Sequence, residues 1–417
     1  MTQAVNDATT ATTATTSASK WWVLAGLWLL YASFGLIVAS VAPMVLLIEQ
    51  DLRISHAAMG SVMGAWQLVY IFAAVPCGVL LDRIGGRNAL LIGALLIAVS
   101  AIGRSLAQDY WSLLLAVMLF GIGGPIISSG APKVVAELFS GSQRGLAMGI
   151  YMTGPAIGGV VCLTLTNAYF LPLFEMNWRW VMLSWGACAA AAGALWWIIS
   201  RATGLAGRSE GAAGHRAPQL QIMGELISAP AVRIVLLMSV GVFLYNHGLN
   251  NWLPELLRSG GMSLVQAGYW AALPTVVGIF SSLLIPRLAT PERRFHILTV
   301  LCVAALIASV LLQSTQGWSL TSGLILQGIA RSSLMTVLIL TLVELPGIGE
   351  QRVGVASGLF FSAAEVGGVL GPLGIGIVYD VSGSFSPALL TLSGISLLML
   401  AGALYLRRLA QVPVPRD

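Results

Sequence analysis

The sequence predicts an all-α membrane protein in which twelve transmembrane helices form two pseudo-symmetric six-helix bundles. Of its 417 residues, 57% are hydrophobic and 9% are charged, whereas soluble domains carry about 25% charged residues. Twelve spans of about 21 residues would place roughly 250 residues in the bilayer core, and the chain is long enough to supply them. Short motifs of the first half also recur in the second half. Together these observations argue against a soluble enzyme of several domains.

Apolar runs of about 20 residues define the predicted spans. In the first half they cover residues 21–48, 56–81, 88–107, 110–134, 145–168 and 178–200. In the second half they cover residues 232–257, 264–286, 295–314, 319–344, 353–378 and 385–406. The runs therefore predict an N-terminal bundle over residues 20–200 and a C-terminal bundle over residues 231–410.

Three polar segments lie outside the predicted bundles. Residues 1–19 form a Thr/Ala tract that is too polar to pack, so we expect a disordered cytoplasmic tail. Residues 201–230 carry Gly, Ser, Arg and two prolines and predict a cytoplasmic linker, and residues 411–417 predict a second cytoplasmic tail. Because the first tract lacks the basic region of a signal peptide, we expect the first span to remain as a membrane anchor.

The distribution of basic residues predicts the orientation in the membrane. If both termini are cytoplasmic, the loops on the opposite side hold only Arg53, Arg179 and Arg258. This bias follows the positive-inside rule, and we expect a multi-pass protein of the cell inner membrane with both termini in the cytoplasm. The formal net charge of +5 is then a topology signal, and no nucleic-acid partner is expected. The basic residues on the predicted cytoplasmic side are Lys20, Arg83, Arg87, Arg144, Arg201, Arg208, Arg216, Arg233, Arg287, Arg293, Arg294, Arg352, Arg407, Arg408 and Arg416.

Cysteine and histidine spacing predicts neither a metal site nor a cofactor. All four cysteines fall inside predicted spans without CxxC spacing, so we expect them to pack as small hydrophobic residues. The histidines form no i, i+4 pair of the kind that binds zinc on a helix. The residues concerned are Cys77, Cys162, Cys188, Cys302, His56, His215, His247 and His296.

Several short motifs recur in the second half at an offset of 207 to 209 residues. Such internal repeats indicate duplicated structural units. Six-helix halves related by an axis along the membrane normal are one known architecture of transporters. The matching pairs are Gln143-Arg144 with Gln351-Arg352, Gly149 with Gly358, Gly158-Gly159 with Gly367-Gly368, and Glu137 with Glu344.

The loop after the second span carries the most specific motif, Gly78-Val79-Leu80-Leu81-Asp82-Arg83-Ile84-Gly85-Gly86-Arg87. It resembles the signature G-x-L-x-D-R-x-G-R-[RK] of the major facilitator superfamily, with Gly86 where a basic residue is usual. Glycine permits the tight turn. The resemblance implies the twelve-helix fold of that superfamily. It also implies that Asp82 pairs with the cytoplasmic start of span eleven, near Val353 and Gly354, and holds a gate shut. A plain basic turn is the alternative interpretation.

Further segments resemble particular branches of that superfamily. Gly154-Pro155-Ala156-Ile157-Gly158-Gly159 in span five is similar to the GPxxGG motif often linked to exporters, although helix packing alone also explains it. Proton-coupled exporters usually carry an arginine where Val117 stands, which argues against drug efflux. The stretch from Arg104 to Gly159 resembles the cyanate-permease-like and organic-anion branches.

Only three ionisable side chains fall near the middle of a predicted span: His247 in span seven, Arg331 in span ten and Glu365 in span eleven. Charges at that depth are costly, and they usually face the bundle interior or a water-filled cavity. The resemblance implies that spans one, four, seven and ten line a central cavity. The candidate substrate-binding residues are Arg331, His247, Gln327, Asn246, Asn250, Tyr31, Trp66, Gln67, Tyr70 and Tyr151.

These residues suggest roles in transport. A guanidinium makes bidentate contacts with carboxylates, so Arg331 is the candidate anion-binding group. Glu365 is the candidate proton carrier, and substrate and proton could share Arg331. The structural alternative is a fixed Arg331–Glu365 ion pair that only orients two helices.

The predicted function is a secondary transporter that moves a small solute by alternating access, preferably an organic or small inorganic anion coupled to protons. The alternatives are a proton-coupled exporter of drugs or metabolites and, more remotely, a membrane sensor without transport. No HExxH, GxSxG or P-loop motif predicts an enzyme. The expected partners are the substrate, protons and the lipid bilayer, and we expect a monomer.

Overall fold

The computed structural model describes residues 17–203, 219–345, 348 and 352–411, and all regular secondary structure within these ranges is helical. The predicted all-α class is therefore confirmed. Residues 1–16 of the predicted N-terminal tail, residues 204–218 of the predicted linker and residues 412–417 of the C-terminal tail lie outside the described residues.

Six helices of at least eight residues form the described N-terminal half, and a short helix in the linker precedes six more in the C-terminal half. The first half contains α1 (Ser17–Ala39), α2 (Val45–Leu52), α3 (His56–Ser105), α4 (Tyr110–Leu138), α5 (Gly141–Leu165) and α6 (Trp178–Ala202). The linker helix is α7 (Gln219–Ser228). The second half contains α8 (Pro230–Ser259), α9 (Leu264–Leu288), α10 (Arg294–Leu311), α11 (Gly317–Val343), α12 (Val353–Ser382) and α13 (Ser386–Gln411). Eleven segments of the described chain are long and apolar enough to cross a membrane, with α1 and α2 in one of them.

Helix α3 supplies two crossings because the chain reverses at Gly85, where φ is 77°. A Cβ placed on Gly130 of α4 would meet Leu90 at 2.9 Å and Leu81 at 3.5 Å, so residues on both sides of Gly85 lie at the same depth. Only glycine adopts this backbone conformation readily. The turn predicted from the glycines of the loop is confirmed, and the described chain makes twelve crossings.

The first span is broken, which its apolar sequence did not predict. Helix α1 ends at Ala39, and a 3-10 turn at Ala42–Met44 leads into α2. Pro43 lies in that turn and cannot donate a backbone hydrogen bond. Arg104, which is buried, donates from Nη1 to the Ile37 carbonyl at 2.9 Å and to Ser40 Oγ at 3.2 Å. Arg104 thus satisfies a carbonyl near the end of α1.

The four cysteines are free, and three of them are buried as expected. The exception is Cys188, which is exposed on α6. The expectation that it packs in the interior is wrong because its side of α6 faces away from the rest of the chain. An apolar run by itself does not indicate which side of a helix faces the neighbouring helices.

The two ends of the bundles differ in how the halves meet. We call the end with Gly85, Ala202 and Gln219 the linker face, and the end with Arg53 and Gly260 the opposite face. The expectation that the linker face is cytoplasmic stays a prediction from the basic residues.

The halves are in backbone contact near the opposite face. A Cβ on Gly60 of α3 would lie 2.4 Å from the Pro372 carbonyl oxygen of α12, and one on Gly376 of α12 would lie 2.3 Å from the His56 carbonyl oxygen of α3. The same holds between α9 and α5, where a Cβ on Gly268 would lie 2.4 Å from the Leu163 carbonyl oxygen. Glycine permits this close approach of helices.

The halves stand apart at the linker face. Gly145 and Gly149 at the start of α5, and Gly354 and Gly358 at the start of α12, are exposed. A Cβ on any of the four would meet nothing within 4 Å. The structure is therefore closed at the opposite face and open at the linker face.

We expect Gly376→Val to disfavour closure of the opposite face, because the new Cβ would collide with the backbone of His56. The matched control is Gly374→Val on the same helix, where a Cβ would meet nothing within 4 Å. The measurement is the distance between spin labels on cysteines that replace the exposed residues Gln108 and Gln316, one in each half at the opposite face, in a variant whose native cysteines are replaced. Gly376→Val should populate longer distances and Gly374→Val should not. Identical distance distributions for the two variants would contradict the packing.

Candidate functional site

A cavity of about 550 Å³ lies between α5 of the first half and three helices of the second half, α8, α9 and α11. It runs from mid-membrane towards the linker face. Arg331 is its only permanently charged lining residue in the described chain. The other polar lining residues are Thr153, Asn246, His247, Asn250, Thr275, Ser282, Ser332 and Thr336, and the larger apolar ones are Met148, Met152, Phe243, Pro274, Ile279, Leu283 and Met335.

Arg331 carries a charge that no neighbouring side chain neutralises. Its Nη1 donates a hydrogen bond to Thr275 Oγ1 at 3.1 Å, which fixes the guanidinium against α9. Asn246 Nδ2 donates to the Arg331 carbonyl at 3.1 Å and so joins α8 to α11. Among the described carboxylates, none lies within 4 Å of Arg331. Since a guanidinium has five N–H donors, most of them remain available to an anion.

Glu365 is buried but does not pair with Arg331. Its side chain on α12 is 6% exposed, and Oε2 has no hydrogen-bond partner among the described residues. The fixed Arg331–Glu365 ion pair, which the sequence left open, is not formed. A substrate and a proton therefore cannot compete directly for Arg331 through Glu365. The reason is position, because Arg331 is held against α9 and lines the cavity, whereas Glu365 lies outside its lining.

His247 and Gln67 join the two halves beside the cavity. Gln67 Nε2 of α3 lies 3.0 Å from His247 Nδ1 of α8. A Cβ on Gly368 of α12 would meet Glu365 Oε2 at 2.9 Å, Gln67 Cγ at 3.1 Å and His247 Cδ2 at 3.5 Å. The absence of a side chain at Gly368 thus lets these three groups converge where the halves meet.

Four of the ten predicted substrate-binding residues line the cavity: Arg331, His247, Asn246 and Asn250. Gln327 does not, since it is fully buried and neither of its side-chain polar atoms has a partner among the described residues. Gln67 is also fully buried and reaches the site only through His247.

The remaining predicted binding residues form an aromatic cluster in the first half. Tyr31 packs on Tyr151 with ring centroids 5.5 Å apart, and Trp66 packs on Tyr70 at 6.1 Å. The Tyr70 hydroxyl pairs with Ser128 Oγ at 2.9 Å. Aromatic rings gain by packing against one another, and here they fill the space beside spans one and four. The expectation that spans one, four, seven and ten line the cavity is therefore corrected to spans five, seven, eight and ten.

The loop motif does not make the contact that the resemblance implied. Asp82 is bound by Lys133 Nζ of α4 at 2.9 Å within the same half. A Cβ on Gly354 at the start of α12 would meet nothing within 4 Å, because the halves stand apart at the linker face. In the motif, a Cβ on Gly78 would likewise meet nothing within 4 Å, and Gly85 makes the turn. The gating role of Gly78, Asp82, Arg83, Gly85 and Arg87 stays a prediction.

Sequence reasoning missed a set of charged residues at the opposite face. Glu49 and Glu255 are buried there, at 6% and 4% exposure, near the ends of their helices. Asp380 of α12 accepts hydrogen bonds from the backbone N–H groups of His56 at 3.1 Å and Ala57 at 2.8 Å. It therefore caps the N-terminus of α3 from the other half, an arrangement that favours a carboxylate.

The sequence profile of the Major Facilitator Superfamily matches residues 27–372, which is most of the chain. The chain belongs to the major facilitator superfamily. It is a transporter rather than an enzyme, and a multi-pass integral membrane protein, as expected for a bacterial inner-membrane transporter of this family. The sequence-based recognition of the superfamily is thus confirmed.

Relatives and solved structures agree with this assignment. The chain is 24% identical to the uncharacterized transporter YycB of Bacillus subtilis (strain 168), covering 92% of this chain and 93% of that one. It is 24% identical to a gallate transporter of Pseudomonas putida, covering 75% of each chain. The crystal structure of a bacterial homologue of the human lysosomal transporter Spinster, in an inward-facing, unoccupied conformation, aligns with a TM-score of 0.71 at 18% identity and covers 94% of this chain and 96% of that one.

We expect Gln67→Leu and Gln327→Leu to differ in their effect on stability. The first change breaks the hydrogen bond between the halves and leaves His247 Nδ1 buried without a partner, at a cost of about 1–3 kcal/mol. The second removes a buried amide that has no partner, so it should be neutral or stabilising. The measurement is the apparent midpoint of thermal unfolding in detergent. An equal decrease in the unfolding midpoint for both variants would show that the Gln67–His247 hydrogen bond makes no specific contribution to stability.

Proposed function

We propose that this protein moves a small organic anion across the membrane by alternating access, together with protons. The observation that carries the proposal is Arg331, a cation on the wall of an open cavity with no carboxylate partner among the described residues. A charge at this depth is costly, and such residues usually mark a substrate or ion pathway. A carboxylate substrate would neutralise it with a bidentate contact, which is the strongest pairing a guanidinium makes.

The cavity favours a substrate with one negative charge and an apolar body. It offers a single permanent positive charge, so a dicarboxylate would bury an unpaired anion, which is unfavourable. Phe243 and the methionines Met148, Met152 and Met335 suit an apolar or aromatic group. Asn250 and Ser332 can bind hydroxyl substituents. A volume of about 550 Å³ is in the range of small-molecule pockets. The gallate transporter among the relatives is consistent with an aromatic carboxylate.

Glu365 is the proposed proton carrier. Its buried carboxyl, with one oxygen lacking a partner, is better accommodated when protonated. Because Arg331 and Glu365 do not pair, the coupling cannot be direct competition for one group. It runs through His247, which lines the cavity on one side and lies beside Glu365 and Gln67 on the other.

The unequal faces support the proposal of alternating access. Gly60 and Gly376 already hold the opposite face closed by backbone contact. At the linker face, the glycines at the starts of α5 and α12 are exposed. In the alternate conformation, these glycines would let the two helices pack closely and close the linker face. Rocking of the two halves about the cavity would exchange one contact for the other.

We expect Arg331→Gln to abolish transport of organic anions, because the amide cannot compensate the substrate charge. The test is counterflow of radiolabelled benzoate in reconstituted vesicles, with gallate, lactate and succinate as competing solutes. The matched control is Arg287→Gln, which removes an exposed arginine at the end of α9 and should leave counterflow unchanged.

Counterflow of benzoate or another anion of the set supports transport and excludes a sensor that only binds. Retention of that counterflow in Arg331→Gln would contradict the assigned role. Counterflow of a quaternary ammonium, with none for any of the anions, would instead favour export of cationic compounds.

We expect Glu365→Gln to lose accumulation driven by a proton gradient and to keep counterflow, because the amide mimics the protonated carboxyl permanently. Uptake of labelled benzoate is measured in vesicles with and without an imposed pH gradient. Glu137→Gln, at an exposed position of α4, is the control. If the gradient stimulates uptake by Glu365→Gln as strongly as by the parent, Glu365 is not the proton carrier.

A further inference from the structure

Five ionisable side chains meet where the two halves touch at the opposite face. Glu49 of α2 and His56 of α3 belong to the first half, and Glu255, Arg258 and Asp380 belong to the second. None of them lines the cavity, and none is part of the transport site proposed above. Within the described chain no three acidic, cysteine or histidine side chains converge in a geometry that could hold a metal ion.

Glu49 and His56 are the centre of this group. Glu49 Oε2 lies 3.2 Å from His56 Nδ1. Glu49 is 6% exposed, and its other oxygen, Oε1, is buried without a hydrogen-bond partner. His56 Nε2 is also buried without a partner. Both residues therefore have a buried polar atom with no donor or acceptor partner among the described residues.

Closure of the opposite face removes water from this pair. The imidazole ring of His56 is stacked between Trp252 and Tyr379 of the second half, with ring centroids 5.1 and 3.9 Å away and interplanar angles of 7° and 6°. A Cβ on Gly376 would lie 2.3 Å from the His56 carbonyl oxygen. The second half thus covers both sides of the ring and the backbone beneath it.

Closure also brings negative charge towards the pair. Glu255 is neutralised by Arg258, whose Nε and Nη2 donate to its carboxylate at 2.8 and 2.5 Å. Asp380 has no cationic side-chain partner among the described residues and accepts only N–H and hydroxyl hydrogen bonds from Ser55, His56 and Ala57. With neutral His56, an ionised Glu49 would be an uncompensated negative charge buried in the interface, which is unfavourable, and the carboxylate of Asp380, which is exposed at the edge of the interface, would add repulsion.

We propose that Glu49 and His56 form a proton-binding site that takes up one proton when the opposite face closes and releases it when that face opens. The extra proton makes the pair neutral overall, whether it resides on the carboxyl or on the imidazole, because the two groups titrate as a unit. When the halves separate, Trp252 and Tyr379 move away and water solvates Glu49. The solvated carboxylate is stable in its ionised form, so the proton dissociates.

This site is separate from Glu365 and goes beyond the proposed function. Its consequence is that acid on the side of the opposite face favours closure of that face even without substrate. Uptake of one proton on closing changes the closed-to-open ratio by roughly tenfold per pH unit in the range where the site titrates.

The test uses the full chain with spin labels at Gln108 and Gln316, as above, in detergent between pH 5 and pH 8 without substrate. All measurements are made in a Glu365→Gln background, so that a pH response cannot come from the proposed carrier. The fraction with the short distance of the closed opposite face should rise on acidification. A fraction that does not change with pH would overturn the proposal.

Three variants locate the response. Glu49→Gln should keep the opposite face closed at all pH values, because the amide is neutral and can still hydrogen-bond to His56. His56→Gln should keep a pH-dependent closure but move it to a different pH range, because Glu49 then titrates without its imidazole partner. The matched control is Asp51→Asn on the same helix, whose carboxylate pairs with Arg179 within the first half, and it should titrate like the parent. A parent-like response in Glu49→Gln, an unchanged pH range in His56→Gln, or a flat response in Asp51→Asn would overturn the assignment.

Discussion

The contact that organises this molecule is the backbone-to-backbone packing of α3 against α12 at the opposite face. Gly60 and Gly376 bring the two helices so close that a Cβ at either position would collide with a carbonyl oxygen. Asp380 strengthens the same contact because it caps the N-terminus of α3 from the other half. Since two rigid bundles joined tightly at one end splay at the other, the cavity opens at the linker face. The open cavity and the buried charges at the closed face both follow from this packing.

The ionisable side chains near the middle of the spans all belong to the second half. The second half supplies Arg331, His247 and Glu365, whereas the first half contributes Gln67 and an aromatic cluster around Trp66 and Tyr70. A membrane interior tolerates an unpaired guanidinium poorly. Arg331 lines the cavity, and within the described chain its guanidinium is held by Thr275, which is why we propose an anion from outside the protein as its partner. The hydrogen bond between Gln67 and His247 joins the two halves beside that site, and in the proposed mechanism it would link the site to their movement.

Much of the fold could be predicted from the sequence because membrane spans are a local property. Apolar runs located all twelve crossings, and the glycines of the loop after span two located the reversal at Gly85. The rarity of charges within the spans also singled out Arg331 and Glu365. Each of these inferences depends on residues that are close together in the chain.

What could not be predicted depends on how the halves are arranged. The tilt of the halves decides that α5 and α9, rather than spans one and four, line the cavity, and distant backbone contacts set that tilt. Glu49 and Glu255 lie at the ends of apolar runs, where a charged residue normally only marks the membrane boundary. Nothing local indicated that Arg104 would bind the Ile37 carbonyl. Asp82 could be recognised as part of a motif, but nothing local indicated that Lys133 of α4 would pair with it.

The central claim is that the cavity binds a single negative charge through Arg331. The most direct measurement is thermal stabilisation of the detergent-purified protein by benzoate, succinate, glycine betaine and tetraethylammonium, with Arg331→Gln alongside. The account predicts that benzoate raises the unfolding midpoint most, that succinate has a smaller effect, and that the benzoate effect disappears in the variant. Stabilisation by tetraethylammonium alone, or by benzoate to the same extent in Arg331→Gln, would contradict it.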